Sequence, residues 1–147
     1  MKIFAMFLLI LGLLPGCRHD DKKSDAADGL VGTWVSICKT SDSDLYVKIE
    51  YKIELSLFTK TGRIYSDSNC TTEVGSSAYS VAYMTGNPVT TSTGNKATEL
   101  DIKFNSTVTN LDIYAIIDSK LYFGDDADKN PATRPTALDF NFYFIKL

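Results

Sequence analysis

Few residues in this 147-residue chain have the chemistry that catalysis or metal binding requires. The only histidine, His19, sits in residues 18–29, a run with no apolar side chain larger than alanine. A Ser–His or Cys–His pair activates its nucleophile by holding a base within hydrogen-bond reach, so no such pair can form in the rest of the chain. The three cysteines, Cys17, Cys38 and Cys70, contain no Cys-x-x-Cys redox spacing. Asp101, Asp112 and Asp118 could in principle pair as acid and base. Each falls on the polar face of an expected strand or in a turn, so solvated surface charges are the expectation. Asp126-x-Asp128-x-Asn130 has the opening spacing of a calcium loop. Pro131 then stands where that loop needs glycine and Ala137 where it needs a bidentate glutamate, which leaves an acidic surface loop. No glycine-rich phosphate or dinucleotide string occurs. The expectation is a protein with no catalytic residue, no metal and no cofactor. A formal charge of −3 without a basic stretch also argues against nucleic acid as a partner.

The elements that would carry any site are strands. Eight tyrosines and eight phenylalanines favour pleated, half-buried surfaces, and helix-forming stretches are absent after Asp28. Residues 31–39 are expected to form the first strand. Residues 45–58 alternate apolar and polar side chains throughout, and predict one long strand of about 45 Å that must coil or bulge. Thr59-Lys60-Thr61-Gly62 is expected to be a turn, with a short return strand over 63–66. Residues 76–85 alternate again until Gly86-Asn87-Pro88 breaks them. Further strands are marked by Leu100, Ile102 and Phe104, by Leu111, Ile113, Ala115 and Ile117, and by residues 121–124 after an Asp118-Ser119 turn. After a long loop over 125–137, Leu138, Phe140, Phe142 and Phe144 place a last strand with its aromatic residues on one face. Eight strands with short turns predict an all-β domain, a single eight-stranded antiparallel up-and-down barrel.

Ahead of that domain, Lys2, the apolar run 3–14 and Leu14-Pro15-Gly16-Cys17 resemble a bacterial lipoprotein precursor. The apolar run rises only ~18 Å as a helix, too short to span a bilayer. The resemblance implies a signal peptide over 1–16 and acylation of Cys17 with diacylglyceryl and palmitate-type chains. It also implies a protein anchored by lipid in the bacterial cell envelope, with Arg18 after the lipid site pointing to the outer membrane. Residues 17–29 are then the lipidated cysteine and a flexible tether, and 30–147 the folded domain. With Cys17 given to lipid by that resemblance, Cys38 and Cys70 are an even pair in a compartment where disulfides persist, and a bond between them is expected.

From Gly32-Thr33-Trp34 onward the chain is similar to lipocalin-like lipoproteins. That similarity implies a Trp34 that plugs one end of the barrel and a basic residue near the last strand covering it, for which Arg134 is the candidate. An inward Trp34 carries Gly32, Ser36 and Cys38 inward with it. Candidates for lining a ligand cavity are Tyr51, Phe104, Phe123, Phe140, Phe142 and Phe144. The implied role is non-catalytic binding of a small apolar ligand in the barrel, or of a partner at its rim. Two alternatives stay open. One is a structural envelope protein with a filled barrel. The other is a lysozyme-inhibitor-like lipoprotein, whose Ser-Gly-x-x-Tyr loop is only echoed by Thr61-Gly62-Arg63-Ile64-Tyr65.

Overall fold

The computed structural model describes residues 29–41, 44–125 and 132–147. The LPGC string with Cys17, His19 and the Asp126-x-Asp128-x-Asn130 string lie outside the described residues. Nine strands form one antiparallel sheet: β1 (Gly32–Ser36), β2 (Lys39–Thr40), β3 (Tyr46–Ile53), β4 (Leu57–Tyr65), β5 (Glu73–Thr90), β6 (Lys96–Lys103), β7 (Thr109–Ile117), β8 (Lys120–Gly124) and β9 (Leu138–Lys146). β1 pairs with β9 on one side and with β3 on the other, so the sheet closes on itself. The result is an eight-stranded up-and-down barrel, with β2 as a short ninth strand beside β3. Closure leaves the main strands without an edge to expose.

Ser36 explains how β1 can stop pairing with β3 and let the chain resume as β2. Its buried hydroxyl donates to the carbonyl of Ile37 and accepts the N–H of Ile49, each at 2.8 Å. A side chain thereby supplies the backbone bond missing between the Val35–Glu50 and Lys39–Val47 pairs.

Three expected boundaries are corrected. Residues 45–58 are not one strand, because the chain turns through 54–56 and Ile53 faces Phe58 across the hairpin. The Glu54 N–H donates to the Leu57 carbonyl at 2.9 Å, and the Tyr83 hydroxyl donates to the Glu54 carbonyl at 2.7 Å. A partner far along the chain thus holds a turn that has no Gly, Pro or Asn of its own. Thr59-Lys60-Thr61-Gly62, expected as a turn, consequently lies in the middle of β4. Gly86-Asn87-Pro88 does not end its strand either; β5 continues to Thr90 through a register shift between Thr85 and Pro88. Glu99 braces that irregularity by accepting the Asn87 N–H at 3.0 Å. By contrast Asp118 and Ser119, both at positive φ, form the tight turn expected between β7 and β8.

The meander places the connections 54–56, 91–95 and 118–119 at one end of the barrel, and 66–72 and 104–108 at the other. Inside the first end, Leu30, Trp34, Ile53, Phe58, Tyr83, Leu100, Tyr114 and Leu121 form one buried cluster. The Trp34 indole N–H donates to the Leu30 carbonyl at 2.7 Å, which seals that end. The chain both enters and leaves there. Lys146 Nζ donates to the Gly29 carbonyl at 3.2 Å, and the Leu147 N–H to the Thr33 carbonyl at 2.9 Å.

Candidate functional site: a half-open aromatic cup

Above the sealed end the barrel interior widens into a cavity of about 340 Å³. Its floor is a set of touching rings. Tyr51 lies 4.6 Å from Phe58, 4.7 Å from Phe144 and 5.4 Å from Phe123, centroid to centroid. These tilted and edge-on arrangements suit the ring quadrupoles. The sequence delivers them to one place by alternation. Tyr51 faces the barrel axis with Ile49 and Ile53 on β3, Phe58 faces in on β4, Phe123 on β8, and Phe142 and Phe144 on β9. Ile49, Ile102 and Phe142 continue the apolar wall. Tyr79 and Phe104, 5.9 Å apart and partly exposed, stand at the mouth. Lys60, Asn110, Asp112 and Asp139 add polar groups to the lining.

Asp112 departs from the sequence expectation of a solvated carboxylate. It pairs with the fully buried Leu100 and shares its inward face. Its Oδ1 accepts the N–H of Ile113 at 2.7 Å and of Gly124 at 3.0 Å. The alternation of Leu111, Ile113, Ala115 and Ile117 marks the outer face of β7, not the inner one. Ile113 and Ala115 pack with Ala97, Tyr122 and Leu138 in a second buried cluster outside the barrel. Residues 132–138 lie over this side of the barrel. The Ser92 N–H donates to the Thr136 carbonyl at 2.8 Å, and Asp125 to Ala137 at 2.9 Å.

Arg134 belongs to that outer layer, which corrects its expected place over Trp34. Its guanidinium donates to Asp101 Oδ1 at 2.7 Å and to the main-chain carbonyl of Asp112, and pairs with Glu99 at 3.4 Å. Outward-facing carboxylates on β6 hold it there, and the cation over the Trp34 ring is Lys146, 5.2 Å from the centroid. Phe140 is the second correction, since it points away from the cavity and packs on Tyr122 at 5.0 Å. The cause is a register shift between Tyr122 and Gly124, with Asp139 Oδ1 accepting the Asn141 N–H at 2.8 Å. That local turn flips the strand, so Leu138 and Phe140 share no face with Phe142 and Phe144. Of the six aromatic candidates, Tyr51, Phe104, Phe123, Phe142 and Phe144 line the cavity.

The rim is clipped by the Cys38–Cys70 disulfide, which joins the end of the first strand to loop 66–72. Asp67 organises that loop by accepting the N–H groups of Asn69, Thr71 and Thr72. These bonds, that of Thr72 foremost, lower its carboxyl from 3.8 to about 2. Burial pushes the phenols of Tyr79, Tyr83 and Tyr114 above their ordinary value. Thr61–Tyr65, the echo of an inhibitor loop, is part of the β4 wall and not of the rim. Among the described residues no group of three His, Cys, Asp or Glu side chains is placed to hold a metal ion. No protein-family model, no curated protein and no solved structure matches the chain.

Sequence reading missed Lys60, Asn110, Asp112 and Asp139 as lining residues. Lys60 was hidden by its expected turn, and Asp112 by the apolar outer face of its own strand. The Asp139 position depends on a strand flip that no periodicity marks.

Proposed function

We propose that this protein is a lipid-anchored envelope protein whose barrel is a non-catalytic receptacle for one small, largely apolar molecule. The aromatic cup carries the reading. A cavity of about 340 Å³ with a ring-lined floor is at the lower end of ligand-pocket size, and Lys60, Asn110, Asp112 and Asp139 are the polar groups set around those rings. The anchoring part rests on the Leu14-Pro15-Gly16-Cys17 string, and the non-catalytic part on the absence of a histidine beyond His19.

Titration with N-phenyl-1-naphthylamine, a neutral probe that brightens in apolar surroundings, tests the receptacle. Saturable one-to-one binding in roughly the micromolar range is expected, and Asn110→Trp, which fills the mouth, should abolish it. Absence of saturable binding would leave a filled structural barrel as the better reading. Alkyne fatty-acid labelling tests the anchor: Cys17→Ser should lose the label and leave the membrane fraction, and equal labelling would reject anchoring.

A further inference from the structure

The cavity wall has a marked polarity. Among the described residues that line it, Lys60 is the one basic residue. It sits on β4 directly opposite Tyr51 of β3 and Tyr79 of β5, so its ammonium group rises from a wall of phenol rings. Among the described residues Lys60 makes no ion pair and no hydrogen bond. Of the other barrel lysines, Lys39, Lys120 and Lys146 each lie over an aromatic ring and Lys52 pairs with Glu54, while Lys48 alternates with Ile49 on β3 and does not line the cavity.

The two carboxylates of the lining stand on other parts of the wall and are committed to the backbone. In strand order β5 and β6 separate β4 from β7, which carries Asp112, and β3 and β1 separate it from β9, which carries Asp139. Asp112 is held by the N–H groups of Ile113 and Gly124, with Arg134 on its main-chain carbonyl. Asp139 is held by the N–H of Asn141. The cation is thus the cavity's uncommitted charge, next to the aromatic floor.

From this we infer that the cavity selects an amphipathic monoanion: a flat apolar body on the rings, with a carboxylate or sulfonate on Lys60. A charge-assisted bond to Lys60 is stronger here than in open water, because the rings exclude solvent around it. The inference rests on the receptacle reading above and adds charge selectivity to it.

The experiment uses three probes with one naphthalene body: 2-naphthoate, neutral 2-naphthamide and the cation 2-naphthylmethylammonium. Each is titrated calorimetrically into the full chain and its Lys60→Met and Lys60→Arg variants. In the unmodified protein the carboxylate should bind about tenfold tighter than the amide, and the cation weakest. Lys60→Met should remove the difference between carboxylate and amide, with far-ultraviolet circular dichroism and a cooperative thermal melt showing that the barrel is intact. Lys60→Arg should keep the preference. Equal binding of carboxylate and amide, tightest binding of the cation, or a preference that survives Lys60→Met would overturn the role of Lys60 and leave the receptacle standing. Failure of all three probes to bind would overturn the receptacle and this inference together.

Discussion

Replacing both Cys38 and Cys70 with alanine should be the most damaging paired change at the rim. The bond closes a loop between residues 32 positions apart. For a loop of that size, chain-entropy reasoning gives about 3.7 kcal/mol at 25 °C, felt mainly through a freer denatured chain. The folded barrel loses little else, because the Asp67 network holds loop 66–72 independently of the sulfur atoms. Unfolding entropy of about 2.1 cal/mol/K per residue over roughly 115 residues converts that loss to a fall in Tm of about 15 °C. Thermal melts and urea titrations of the oxidised protein and the double variant measure it. The urea m value should also rise, since a chain without the cross-link exposes more surface when unfolded. A Tm fall below about 5 °C with an unchanged m value would refute the reasoning. It would mean that the denatured chain is constrained over 38–70 by something other than the disulfide.

Trp34→Phe should destabilise the sealed end by about 1–3 kcal/mol in urea titrations, because the buried Leu30 carbonyl loses its indole donor; a loss under about 0.5 kcal/mol would argue against that bond. Gly124→Ala should cost about 1–3 kcal/mol, since a Cβ there would meet Pro135 at 2.5 Å and Asp112 Oδ1 at 2.6 Å; a neutral result would show that residues 132–138 yield easily. Asp67 is lowered in the fold, from 3.8 to about 2, so its contribution is present above pH 4 and disappears as pH falls through 2. The stability gap between the wild type and Asp67→Asn should therefore be constant above about pH 5 and shrink toward pH 2, and a gap that ignores pH would contradict the assigned hydrogen bonds.

The barrel was legible in the sequence wherever a strand is buried on one side only. β3 alternates because its inner residues meet the core and its outer ones meet water, and that places Tyr51 correctly. The Cys38–Cys70 bond is also present, although its expectation rested on the cysteine count and the compartment rather than on any local pattern. Most of what failed has one physical cause, contacts made by segments distant in the chain. β7 is buried on both faces, so its more apolar alternation pointed to the outside cluster and hid Asp112. The turn at 54–56 depends on the hydroxyl of Tyr83, 29 residues away from Glu54. Arg134 is drawn to Asp101 and Glu99, partners far upstream of it. Lys60 followed from the misplaced turn at 54–56, and Phe140 from the local turn at Asp139 that flips β9. The candidate site was half legible as a result: its rings could be named, but not its charges.

Gly29 and Leu147 both lie at the sealed end, at the opposite pole from the mouth of the cavity. Any attachment made through the residues that precede Gly29 grips the molecule by its base, with the opening turned away from the support. On the proposed receptacle reading, a ligand would then come and go from the side facing the surroundings without passing between the domain and whatever holds it. The clipped rim, with Cys38, Cys70 and the Asp67 loop, becomes the leading surface, the first part an approaching molecule meets. On that reading attachment and access fall to opposite poles of one small barrel, and a change at either pole can be made without trespassing on the other.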